Sequence, residues 1–276
     1  MFHLIMAIVT SVCISLIMRL SGARVKNTMG MLLIGYLTAT LLSALHTGFD
    51  NLLPSHPQMP KVLAMSAVNG MLYASGLVLM QLSIPRNGVV ATSTYTRLSL
   101  VVTIVFSLVL FREVPTGLQV LGLFLAVGAI ALSSIQKGSA RFNPLLLAIL
   151  LLGGTIDIWV KVFSTWGEPS LSDQFLFGTF LCAALICFGL MLYKKQRLSR
   201  WELLFGTMIA IPNYYNSRFL LKSLEGLPSI IVYPTFNVGT LLLLTVIGVG
   251  VFREKLSKRQ WIALAIILLA LTLLNL

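Results

Sequence analysis

The chain has 276 residues, of which 57% are hydrophobic and only 10% are Asp, Glu, Lys or Arg, with a mean hydropathy of +0.94. A soluble domain carries about 25% charged residues, so water is excluded as the solvent for most of this surface and lipid takes its place. The formal charge of +12 does not point to nucleic acid. The cations stand in small groups on short segments between apolar runs, which is how topology signals are distributed.

A hydrocarbon core of roughly 30 Å takes about 20 apolar residues in a helix. Set against Gly, Pro and charge, the apolar runs predict helices near 2–20, 29–50, 61–82, 87–110, 116–136, 143–165, 171–193, 201–222, 228–251 and 258–275. The fold class is therefore an all-α integral membrane protein of ten transmembrane helices, with little chain left for soluble domains. The first run, Phe2 to Met18, has no basic segment before it and no small-residue cleavage site after it, so it reads as a span rather than a removable signal. Ser21, Gly22, Arg24 and Lys26 stop it; Pro54 and Pro57 stop the second span and Pro85 the third. Leu145 to Leu152 and Ile262 to Leu271 are apolar on every side, which excludes the dyad alternation of a barrel. Cys13, Cys182 and Cys187 lie inside apolar runs with no C-x-x-C context and read as small buried hydrophobes.

Basic residues alternate between loops. Arg19, Arg24, Lys26, Arg86, Lys137, Arg141, Lys194, Lys195, Arg197, Arg200, Arg253, Lys255, Lys258 and Arg259 fall in one set, fourteen in all, against Lys61, Arg112 and Lys222 in the other. Short basic loops stay in the cytosol, so both termini are expected outside.

Sliding the chain by 141 positions superimposes Phe111-Arg112-Glu113 on Phe252-Arg253-Glu254, Gln119 on Gln260, Thr94 on Thr235 and Tyr95 on Phe236. Both tripeptides close a fourth span and open a fifth. Two five-span repeats, 1–137 and 141–276, would insert with opposite orientation, because five is odd.

Leu227 to Pro234, the apolar helix after it, then Phe252 to Gln260 and a last apolar helix resemble the second repeat of the EamA-type drug/metabolite transporters. Ile84-Pro85 through Phe111-Arg112-Glu113 to Ile135 resembles a diverged first copy. The resemblance implies ten helices, a central cavity between the halves, alternating access and transport, chiefly export, of small metabolites across the plasma (inner) membrane. The chain departs from the pattern at Ser93, opposite Pro234, and at Arg97, opposite Val238. Glu113 and Glu254 match the motif at helix starts, where a carboxylate complements the dipole of the helix that follows.

A charge at the bilayer centre costs about 2.5–3.5 kcal/mol on insertion scales, so each needs a partner, a cavity or a function. Arg97 lies too deep in its span for easy snorkelling. Asp157 and Lys161, at i and i+4, share a helix face and can neutralise each other; otherwise Asp157 is a partner for Arg97 or the site of a coupling proton. Trp159 is off that face and reads as packing or lipid-facing. Behind the helix-kinking Pro212 come Asn213, Tyr214, Tyr215, Asn216, Arg218 and Lys222, the last of which can snorkel. Asn69 with Tyr73, and Tyr233 with Asn237, repeat an i, i+4 spacing suited to joining helices or lining a site. The candidate substrate-binding set is Arg97, Asn69, Tyr73, Asp157, Asn213, Tyr214, Asn216, Tyr233 and Asn237. His46 and Gln81 lie nearer helix ends and stay outside it.

Arg97, Lys161 and Arg218 outnumber Asp157 at depth, which favours a small anionic or zwitterionic, amino-acid-like solute. The expected function is secondary transport by a monomer or homodimer, with proton coupling an open option and no cofactor or metal. Nothing supplies the carbonyl or charge rings of a channel. No nucleophile-base pair, paired carboxylates or metal-ligand spacing points to an enzyme, and no P-loop to direct ATP use. A flippase for a lipid or lipid-linked carrier shares this plan and is the rival reading.

Overall fold

In a computed structural model of the chain, residues 1–22, 24–25, 27–134, 144–194, 198–251 and 258–274 are described; within them the side chains of 81, 84–85, 88–91, 93–94, 130–131, 133–134, 258–260, 263, 267 and 271 are not. The expected motif Phe252 to Ser257 therefore lies outside the described residues, as do the cationic positions Lys26, Lys137, Arg141, Lys195 and Arg197. The described elements are helical: α1 (Phe2–Ser21), α2 (Thr28–Thr47), α3 (Met59–Leu110), α4 (Gly117–Ser134), α5 (Pro144–Trp166), α6 (Ser172–Tyr193), α7 (Arg200–Gly226), α8 (Ser229–Gly250) and α9 (Lys258–Leu274), with 3-10 turns at Phe49–Asn51 and Pro169–Leu171. Six segments are long and apolar enough to cross a membrane: Phe2–Ser21, Thr28–Thr47, Met59–Met80, Pro144–Trp166, Pro169–Tyr193 and Ser229–Gly250. This is the make-up of a multi-pass membrane protein.

Local chemistry sets the helix starts. Asn27 caps α2 by accepting from the Gly30 N–H at 3.0 Å. Thr116 and Gln119 form a reciprocal capping box before α4, each side chain accepting the other's main-chain N–H at 3.1 and 3.3 Å. At the start of α7 the cap is not reciprocal: Ser199 Oγ accepts from Trp201 N–H, and Glu202 Oε2 accepts from Ser199 N–H at 2.8 Å. α2 ends at Gly48, whose φ of +83° suits a glycine.

The break expected at Pro85 takes another form. α3 is helical throughout Met59–Leu110, yet it is not straight. Nine residues of straight helix advance about 13.5 Å, whereas the hydroxyls of Ser83 and Thr92 meet at 2.8 Å. The helix must bend sharply between them, where Pro85 removes a backbone donor. Asn87 donates to Ser83 Oγ at 3.0 Å and closes the bend.

The chain divides into two compact units, which cut across the two expected repeats: 1–75 with 159–225, and 76–158 with 226–276. In the first unit α2 packs along α6; in the second α4 packs along α9. Phe163 and Phe175 stack in the first, with centroids 3.9 Å apart. The helices of the first unit also approach through glycine: a Cβ on Gly206 of α7 would lie 2.6 Å from the Met31 carbonyl of α2, and one on Gly70 of α3 would lie 2.7 Å from the Thr179 carbonyl of α6. Small residues of this kind let helices pack closely where lipid offers no hydrophobic driving force.

Candidate functional site

In the second unit a stripe of hydroxyls, Ser99, Thr103 and Ser107, runs along the later arm of α3 at four-residue spacing, all of them buried. Each meets a different partner. Ser99 lies against Gly153 of α5, where an added Cβ would stand 2.8 Å from the serine Cβ. Thr103 Oγ1 donates to Asp157 Oδ2 at 3.3 Å, and the Ser107 and Ser229 hydroxyls are 2.9 Å apart. Ser99 and Ser107 also donate back to carbonyls three and four residues earlier, and Thr103 shares its one proton between Asp157 and the Ser99 carbonyl, at 3.3 Å each.

Asp157 is half-buried on α5. Its main-chain carbonyl accepts from the hydroxyl of Tyr233, a fully buried side chain of α8. Arg97 is half-buried on α3, six residues and therefore about 9 Å of helix before Thr103. Among the described residues neither Arg97 nor Asp157 has an ion pair. Asn237 donates to its own helix at the Tyr233 carbonyl, 3.0 Å, so it does not join helices as its spacing allowed.

Glu113 has a different partner from the one expected. Its carboxylate accepts from Ser229 N–H at 3.0 Å, Ser229 Oγ at 2.6 Å and Ile230 N–H at 3.0 Å. It thus caps α8, while the following helix α4 is capped by its own Thr116 and Gln119. The negative charge still faces an N-terminal dipole, on a helix distant in sequence. The residue before it, Arg112, has a φ of +52°, and the chain turns there so that the Glu113 N–H reaches the Ser107 carbonyl at 3.4 Å. The equivalent position Glu254 lies outside the described residues.

The first unit holds the remaining candidates and uses most of them as joints. Asn69 is 1% exposed and donates to Thr179 Oγ1 of α6 at 3.2 Å, while its Oδ1 has no partner among the described residues. Tyr73 is half-buried one turn further on. Asn216 donates to the Ala7 carbonyl at 2.7 Å and to Thr10 Oγ1 at 3.3 Å, joining α7 to α1. Asn213, three residues earlier, is half-buried without that contact. Tyr214 is 1% exposed; its hydroxyl accepts from Arg218 at 3.0 Å, and the same guanidinium reaches Asp173 Oδ2 at 3.3 Å. Arg218 is therefore balanced by a carboxylate and does not add to an unmatched positive field. The ring of His46, set aside in the sequence, stands 6.4 Å from that of Tyr214. Trp159 donates through Nε1 to the Met65 carbonyl at 2.9 Å, a packing role. Lys161 is 8% exposed.

The residues missed by the sequence reading are Thr103, Ser107, Asp173 and Thr179. A period of four in Ser and Thr at 99, 103 and 107 was the available signal for the stripe. Nothing local signals that Asp173, at the start of one helix, meets Arg218 on another. The described residues hold no group of three His, Cys, Asp or Glu side chains that could bind a metal.

No family model matches the chain. A protein of Haemophilus influenzae described as uncharacterized is 27% identical over 282 residues, which span 96% of this chain and 94% of that protein. A solved crystal structure superposes with a TM-score of 0.76 at 12% identity, covering 99% of this chain and 98% of the other. The chain thus shares its fold, nearly end to end, with a protein known from crystallography.

Proposed function

We propose that the chain is a ten-span secondary transporter that moves a small anionic or zwitterionic metabolite, amino-acid-like in its charges, by alternating access. The carrying observation is the presence of Arg97 and Asp157 within one unit: opposite charges on two helices in close glycine contact, with no ion pair to either among the described residues. A membrane protein retains charges at such cost where they serve a solute or a proton. A carboxylate recognised by Arg97 and an ammonium or coupling proton taken by Asp157 use both groups.

Two inverted five-helix repeats are part of this reading, and the helix pairs support them. α4 and α9 pack together and begin at Gly117 and Lys258, 141 positions apart; α2 and α6, the corresponding pair, begin at Thr28 and Ser172. The bend at Ser83 and Thr92 supports counting α3 as two spans, which brings the total to ten. The proposed place is the plasma (inner) membrane, with export as the direction.

The test is a metabolite panel in reconstituted vesicles, comparing the parent with Arg97→Gln and Asp157→Asn. Loss of flux for one solute class in both variants is expected, with melting temperatures unchanged. Undiminished flux in both variants would sink the assignment. Movement of a fluorescent phospholipid and of no soluble metabolite would replace the transporter with a flippase.

A further inference from the structure

We propose that Arg24, Trp201 and Arg200 form a binding site for the headgroup phosphate of an anionic phospholipid. The two guanidinium carbons lie 4.9 and 5.5 Å from the centroid of the same indole ring. Both arginines are exposed, Trp201 is half-buried, and no ion pair to either guanidinium occurs among the described residues. Two cations gathered on one ring repel each other, and a shared phosphate relieves that repulsion. Tryptophan itself prefers the headgroup level of a bilayer.

The arrangement is built by the backbone. Main-chain N–H groups of Arg24 and Val25 both bond to the Ser21 carbonyl, at 2.9 and 2.8 Å, which fixes the turn after α1. Glu202 then ties that loop to α7, accepting from Asn27 N–H at 3.0 Å through one oxygen and from Ser199 N–H at 2.8 Å through the other. The next turns of α7 indicate a lipid rather than a free anion. Leu204, Met208 and Ile211, at i, i+4 and i+7, are 48%, 43% and 48% exposed and extend one apolar face away from the arginines. A phosphate at Arg24 and Arg200 sets its acyl chains along that face.

The test counts lipids retained by the detergent-purified protein in native mass spectrometry, with phosphatidylglycerol and phosphatidylcholine offered separately. Preferential retention of phosphatidylglycerol is expected, with each arginine contributing about fivefold. Arg24→Gln should lose about that factor, and Arg24→Gln with Arg200→Gln should approach parity. Lys222→Gln, an exposed cation near the other end of α7, should keep the preference. Because the Arg24 side chain makes no ion pair among the described residues, its single variant reports even if the double variant fails to fold. Parity in the parent, a preference surviving Arg24→Gln in full, or displacement of the lipid by an equal concentration of inorganic phosphate would each overturn the assignment.

Discussion

The two compact units solve the same problem, packing helices in lipid, with different chemistry. Residues 1–75 and 159–225 are rich in aromatic ring pairs, from Phe2 with His3 to Tyr215 with Phe219. Their polar side chains join helices to one another: Asn69 to Thr179, Asn216 to Ala7, Arg218 to Asp173. Residues 76–158 and 226–276 share the close glycine contacts, add a stripe of buried hydroxyls, and leave Arg97 and Asp157 without an ion pair among the described residues. In the first unit the half-buried Arg218 is matched by Asp173, a pairing suited to holding shape. In the second, the proposed transport function would give Arg97 and Asp157 to a solute.

The sharpest way to break this contrast is at the glycines of the second unit. A Cβ on Gly154 would stand 2.5 Å from Val102 Cβ and 2.9 Å from the Ser99 carbonyl, so α3 and α5 must separate. Gly154→Ala should cost about 3 kcal/mol, read as a lower midpoint in denaturant titration of the detergent-solubilised protein. Next comes the cap on α8. Glu113→Ala removes three charge-assisted hydrogen bonds and should cost about 2 kcal/mol, with Glu113→Gln recovering part of it. A Glu113→Ala protein with an unchanged midpoint would show the cap to be dispensable.

Sequence spacing assigns Glu113 to α4, and the reason it misleads is general. Periodicity reports which residues share a face of one helix, and it says nothing about which helix lies opposite. It therefore locates the long apolar helices and the sharp break near Pro85. It does not reveal that Arg218 meets Asp173, that Glu113 reaches α8, or that Asn237 bonds back to its own turn. The candidate set is legible in sequence as polar residues inside apolar runs. Its division between two units is not, because α3 and α5 each pass from one unit to the other partway along, at 75–76 and 158–159.

A third comparison pits two arginines against each other. Arg218, tied to a partly exposed Asp173, should lose about 1 kcal/mol of stability on change to Gln and retain transport. Arg97→Gln should keep its melting temperature and lose flux. Identical behaviour of the two in paired melting and vesicle-flux measurements would dissolve the distinction between units. The smallest effect is expected at Asn216→Ala, about 0.6 kcal/mol, typical of polar contacts between helices in membranes; a thermal melt that resolves this difference would check it.

The joint between Ser43 and the Asp173 carbonyl closes across 130 residues of sequence. At a synthesis rate of about 5–20 residues per second, the ribosome needs roughly 7–26 s to deliver the second partner after the first. Through that interval α2 has no α6 to pack against, and its buried face, including Tyr36 and Ala39, must be covered by lipid or by the insertion machinery. The first unit is therefore assembled from parts that arrive early and late. A stalled or truncated chain ending before residue 172 would leave that face open, and quality-control proteases that read exposed helix surfaces would meet it there first.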